Sequence, residues 1–222
     1  MENIALLLEK IIFSPSTNNK IKILVEFLKS TSNQIEKGNT IAFLTNKIKF
    51  KGVKSNLIKN IVKKKTDPYL FDISYDYVGD LAETIALIWE KKKYSKEIFS
   101  FTKIIKEFEN NKNNHEENII KILDNSEVNT RWAFIKLLLG GSLRIGMSDH
   151  LVKRALAIYG NKSLSQIEMI WNGMSPPYED LFSWLDNKAS IPKVKNNEIF
   201  HSLLLAQSIS LKELEKINLK EY

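Results

Sequence analysis

The chain of 222 residues contains no cysteine, which excludes a disulfide framework and any thiolate metal site. Its three histidines, His115, His150 and His201, are too scattered to give metal-ligand spacing. Glycine and proline are sparse, at eight and five residues, and strand-like alternation of apolar and polar positions is nearly absent. No apolar run approaches the ~18 residues a membrane span needs, so nothing in the chain is expected to cross a membrane. The N-terminus, MENIALLLEK, carries an acid where a secretory signal carries positive charge. The expected location is therefore the cytoplasm. No nucleophile–base constellation is visible.

What the chain does have is a core and a concentrated charge. Hydrophobic residues make up 43% of it, enough for one domain with a real interior, or one domain and an appendage. Net charge is +7. Asparagine, at 21 residues, and isoleucine are also abundant, as an AT-rich genome would make them throughout. The charge is not spread in that way. Residues 37 to 66 hold nine lysines (37, 47, 49, 51, 54, 59, 63, 64 and 65) and no acid. That window is +9, and the remaining 192 residues sum to −2. Localised positive charge is the footprint of a polyanion partner.

The apolar pattern is helical. Ile4, Leu7, Leu8, Ile11 and Ile12 share one helix face. Thr17 is placed to cap a second helix carrying Ile21, Leu24, Val25 and Leu28. Asp80 and Glu83 fit a D-x-x-E cap ahead of Leu81, Ile85, Leu87 and Ile88. A further segment opens at Ser95 and carries Ile98, Phe99, Phe101, Ile104, Ile105 and Phe108. Residues 110–118 read as a polar loop or a frayed helix start. Trp132, Ile135, Leu138 and Leu139 form another stripe, and the four tryptophans are expected in the core. The fold class is all-α. After Asp186 the sequence NKASIPKVKNN loses helical period and reads as a linker.

Shifting the chain by 94 residues lays GVKSNLIKNIV (52–62) on GMSDHLVKRAL (146–156) without a gap. The offset matches Gly52 with Gly146, Leu57 with Leu151, Lys59 with Lys153, Leu70 with Leu164, Ile73 with Ile167 and Gly79 with Gly173. That is six identities in 28 positions. An internal duplication follows, each copy reading as helix, basic glycine turn, second helix starting near Ser55 or Ser148, and a third helix. The first N–H groups of a helix lack intrahelical partners and carry partial positive charge. Glycine lets an anion approach the backbone. Each copy is thus a phosphate site in kind, and two copies suit a repeating polyanion better than one nucleotide. On the residues, the candidate contacts are Gly52, which sits among lysines, and Lys59 in the first copy, and Gly146, flanked by Arg144 and Ser148, and Lys153 in the second, with Arg154 beside Lys153.

GSLRIGMS (141–148) approaches the phosphate loop of nucleotide triphosphatases but has Met147 where the lysine must stand. On the residues alone three readings stay open. One is a sequence-independent duplex binder, and another a helical regulator using residues 148–159 in the major groove. The third is a protein-interaction domain with solubilising lysines.

GDLAETIALIW (79–89) and LLLGGSLRIGMSDHLVKRALA (137–157) resemble the N-terminal DNA-binding domain of ATP-dependent DNA ligases, in particular bacterial enzymes related to archaeal and eukaryotic replicative ligases. SPSTNNKIKIL (14–24) resembles that domain's second helix start. IFHSLLLAQSIS (199–210) resembles the entry into the adenylation domain. The resemblance implies a compact, internally pseudo-two-fold helical domain over residues 1–185. Residues 186–222 would be the linker and the start of an adenylation domain. It implies a monomer that grips nicked duplex DNA through minor-groove sugar-phosphate contacts, made by the turns Lys51–Ser55, with Lys51, Gly52, Lys54 and Ser55, and Arg144–Ser148, with Arg144, Gly146 and Ser148, and with Lys20 near a third helix start. It implies partner adenylation and OB domains, and ATP and Mg2+ as cofactors of the full-length enzyme but none in this chain. The adenylated lysine of such an enzyme lies in K-x-D-G, which this sequence lacks, so the segment is expected to bind DNA and seal nothing by itself.

Overall fold

The computed structural model describes residues 1–90, 99–110, 114–140, 145–195 and 199. Among them it places twelve α-helices and no strand: α1 (Glu2–Ile12), α2 (Thr17–Ser30), α3 (Gln34–Leu44), α4 (Ser55–Lys65), α5 (Pro68–Val78), α6 (Leu81–Ile88), α7 (Phe101–Asn110), α8 (His115–Asp124), α9 (Val128–Leu139), α10 (Asp149–Gly160), α11 (Leu164–Trp171) and α12 (Glu179–Leu185). None is long and apolar enough to cross a membrane.

The caps explain most starts. Asn33, Asp67, Asp80, Ser148 and Ser163 each accept a hydrogen bond from a first-turn amide, which supplies one of the partners a helix start lacks. One expectation shifts. Ser16, not Thr17, caps α2, because its side chain accepts from Asn19 N–H and leaves Thr17 as the first helical residue. In the stretch 110–118, read as a loop or a frayed helix start, α8 begins at His115. The proposed start at Ser95 lies outside the described residues, and α7 opens at Phe101.

One cluster of buried side chains runs through all twelve helices. It includes Leu8, Leu24, Ile41, Ile58, Phe71, Ile85, Phe108, Phe134, Leu156, Ile167 and Phe182. Each contributes roughly 1.5–3 kcal/mol by leaving water. Three of the four tryptophans, Trp89, Trp171 and Trp184, are buried as expected, and Trp132 is half-buried against the same core.

Helix pairs recur with the halves exchanged. α2 packs on α10 and α8 on α4; α1 packs on α9 and α7 on α3; α6 packs on α9 and α12 on α3. The first residues of α3 and α9, and of α4 and α10, each lie 94 positions apart. Asn46 and Gly140, also 94 apart, follow α3 and α9, and both have φ of 57°. They meet, because a Cβ built on Gly140 would lie 3.5 Å from Asn46 Oδ1.

The helical body ends in a polar junction. Tyr159 of α10 donates to Asp186 Oδ1 at 2.6 Å, Gln34 donates to Oδ2 at 3.1 Å, and buried Lys37 donates to the Tyr159 hydroxyl. Burial alone would raise the Asp186 carboxyl, but the hydrogen bonds from Tyr159 and Gln34 and the nearby Lys37 ammonium outweigh it and hold it below its ordinary value. A depressed carboxyl stabilises the fold above its unfolded value of about 4, and that contribution is lost as pH falls through the lower folded value. Asp186→Asn should therefore flatten the acid limb of stability. Urea unfolding of wild type and D186N between about pH 2 and pH 6 checks this, with the two curves expected to converge at the acid end.

Candidate nucleic-acid interface

The first glycine bend is built by a basic segment. After α3 a turn at 45–46 leads into a stretch outside helix and strand, in which Lys47, Lys49 and Lys51 are exposed while Ile48 and Phe50, which alternate with them, are buried. Phe50 is anchored against Phe108 of α7, with ring centroids 5.6 Å apart. Two apolar anchors thus present three lysines on the opposite side. The period of two that makes this possible is legible in NKIKFK, and the helical reading of the chain passed over Lys47 and Lys49.

Gly52 then turns the chain with φ of 91°, a left-handed value that a residue with a Cβ adopts only under strain. Val53 is buried, Lys54 is exposed, and α4 starts at Ser55. The second bend follows the same course. Gly146 is exposed with φ of 67°, Met147 is buried, Ser148 caps α10 through the Leu151 amide, and the helix runs from Asp149. Arg144 lies outside the described residues.

Four of the nine lysines in the basic window are buried, stacked on a ring or paired with a carboxylate. Lys37 is buried, with its ammonium 4.8 Å from the centroid of the Tyr159 ring. Lys59 sits 4.2 Å over the Tyr75 ring, tying α4 to α5. Lys63 pairs with Asp72 at 2.7 Å and Lys64 with Glu116 at 2.9 Å. Lys47, Lys49, Lys51, Lys54 and Lys65 are exposed and have no carboxylate partner among the described residues. The concentration of charge seen in the sequence thus narrows to the strip 47–54.

Lys153, matched with Lys59 by the 94-residue offset, is also engaged. It pairs with Glu168 of α11 at 3.4 Å, and His150 approaches the same carboxylate at 3.6 Å. Lys59 and Lys153 therefore do corresponding work, holding the basic helix of each half to the one that follows. Arg154 is half-buried and has no partner among the described residues. Lys20 reaches from α2 to the second bend, where its ammonium donates to the Ile145 carbonyl at 3.1 Å and to that of Gly146 at 3.4 Å.

One residue at the site carried no signal in the sequence. His115, the first residue of α8, lies buried under the first bend. Its ring stacks on Phe108, nearly parallel, with centroids 5.4 Å apart. Its Nε2 lies 3.3 Å from the Lys51 carbonyl. A carbonyl only accepts, so this hydrogen bond places the proton on Nε2. Nδ1 is buried without a partner among the described residues. No family model matches this chain, and no curated protein matches it.

Proposed function

We propose that the chain is a sequence-independent duplex-DNA-binding module, the DNA-binding domain of an ATP-dependent DNA ligase, which holds nicked DNA by its sugar-phosphate backbone. The observation that carries this reading is the pair of exposed glycine bends, Gly52 and Gly146, each with left-handed φ and each opening a helix. The first adjoins a strip of unpaired lysines. Amides and lysines of this kind fix a protein on a duplex without reading its sequence.

Duplication supports the same reading. The starts of α3 and α9 and of α4 and α10, and the left-handed pairs Asn46/Gly140 and Gly52/Gly146, correspond under the 94-residue shift, and helix packing partners recur with the halves exchanged. Asn46 and its counterpart Gly140 touch, as residues beside a pseudo-two-fold axis would. A two-fold rotation preserves height along its axis. Each bend lies six residues beyond that contact, so under such a rotation both bends would stand at the same end of the axis and meet one duplex together.

Against a recognition helix in the major groove stands the packing of α10. Only Asp149, His150 and Ile158 are exposed on it, so it offers no free basic face. The lysine strip likewise weighs against a purely protein-binding role, because it concentrates positive charge where no acid of the described residues meets it.

A titration with nicked duplex tests the proposal. With ~6–10 phosphate contacts, affinity should fall roughly 10³–10⁵-fold between 50 and 200 mM salt, equally for unrelated sequences. A flat salt dependence, or a preference for one sequence, would sink it.

A further inference from the structure

Lys20 and His115 stand in corresponding places. Lys20 lies near the start of α2 and reaches the Ile145–Gly146 bend; His115 starts α8 and reaches the Lys51–Gly52 bend. Lys20 is the fourth residue of α2 and His115 the first of α8, so each side chain leaves the first turn of its helix. Each crosses from its own half to the bend of the other. In both cases a donor takes the carbonyl oxygen of the residue before the glycine.

A trans peptide is planar, and its carbonyl and its N–H point in opposite directions. Holding the Lys51 carbonyl against His115 therefore turns the Gly52 N–H away from the protein. Holding the Ile145 carbonyl against Lys20 does the same for the Gly146 N–H. Both glycines are exposed, and neither amide has a hydrogen-bond partner among the described residues. A Cβ built on Gly146 would collide with the Lys20 ammonium, so the glycine also makes room for the donor beneath it. At Gly52 the nearest atoms to such a Cβ are those of the His115 ring, at 3.7 Å.

We propose that Lys20 and His115 are positioning residues rather than ligand contacts: each pins the peptide ahead of a glycine so that the Gly146 and Gly52 amides face outward as phosphate donors. The assignment rests on the duplex-binding reading above. It moves Lys20 from a direct phosphate contact to a support for one, and it gives the buried His115 a task that packing on Phe108 does not require.

The test uses the full chain, a short nicked DNA duplex, and 15N–1H spectra in which the glycine amides are followed one by one. In wild type, duplex shifts both the Gly52 and the Gly146 resonance. In Lys20→Met, which keeps length and loses the donor, the Gly146 response disappears and that of Gly52 remains. In His115→Phe, which keeps the ring on Phe108, the opposite occurs. Affinity falls roughly tenfold in each, the worth of about one hydrogen bond to a charged group. The slope of log affinity against log salt stays unchanged, because no phosphate-neutralising cation is lost.

Lys20→Arg and His115→Gln retain donors of similar reach and keep both responses, which separates pinning from a general loss of structure. A Lys20→Met chain whose slope drops by ~0.9 while Gly146 still responds makes Lys20 a direct contact and overturns the assignment. Loss of both glycine responses in either single variant, or loss in the donor-keeping variants, overturns it too. If wild type binds no duplex at low salt, the duplex reading itself fails; if it binds and the variants behave as wild type, only the pins fail.

Discussion

Reversing three lysines together, Lys49→Glu, Lys51→Glu and Lys54→Glu, should lower affinity for duplex DNA roughly 10³-fold at about 0.1 M salt and reduce the salt slope by ~2.7, if each meets one phosphate. The fold should survive. All three side chains are exposed, and none has a partner among the described residues. Glutamate at position 54 sits just before the first turn of α4, where the helix dipole favours an acid. The loss should be equal for unrelated DNA sequences, since backbone contacts carry no base information. The contrasting pair is Lys63→Glu with Lys64→Glu. These lysines already face Asp72 and Glu116. Their reversal should leave the salt slope within about one contact of wild type. Fluorescence anisotropy across a salt series decides between the two outcomes. If the pair at 63 and 64 matters as much as the strip, net charge rather than the strip attracts the DNA.

The largest effect on stability is expected at Arg131. Its side chain is only 2% exposed. Nε donates to the Leu123 carbonyl at 2.8 Å and Nη1 to the Trp89 carbonyl at 2.5 Å, while Nη2 has no partner among the described residues. Those carbonyls lie at the C-terminal ends of α8 and α6, where the last groups of a helix lack intrahelical donors and carry partial negative charge. Burial pulls the guanidinium below its ordinary value, and the carboxylates of Glu127 and Asp124 oppose that pull. Arg131→Met conserves much of the volume and removes a buried charge, which in itself favours folding. It also strands the buried Trp89 carbonyl at about 1–3 kcal/mol and takes the charged donor from the Leu123 carbonyl, which keeps only weaker backbone donors, among them Ser126 N–H at 3.5 Å, and this penalty outweighs the gain. The expected loss is about 3 kcal/mol in urea unfolding, with the helical circular dichroism signal kept at low denaturant. A change below about 1 kcal/mol would mean that water or a shifted backbone satisfies both carbonyls.

Much of the helical architecture was legible because it rests on local rules. The apolar stripes of α1 and α2 repeat at the helical period, and the Asp80 cap sits where its spacing puts it, whereas Leu87 of the α6 stripe is exposed and α9 is buried nearly all round. The two bends were legible for the same reason, since a glycine before a basic helix start is a local signal. What misled was the assumption that a lysine-rich window is a lysine-rich surface. Lys37, Lys59, Lys63 and Lys64 turn inward or pair with an aromatic ring or a carboxylate brought by another segment. Conversely, NKIKFK shows an alternation that the helical reading passed over, and there it is Phe50 packing on Phe108 that fixes which side faces out.

The sequence by itself determined that the chain is helical, that its charge is local, and that two glycine turns recur 94 residues apart, because periodicity, composition and spacing depend on neighbours along the chain. Only the tertiary structure decided which cations are free and which groups stand beneath the turns. Lys20 is 125 residues from Ile145 and His115 is 64 from Lys51. No local pattern joins positions so far apart. The packing of α2 on α10 and of α8 on α4 does, by bringing the start of one helix under the bend that opens the other.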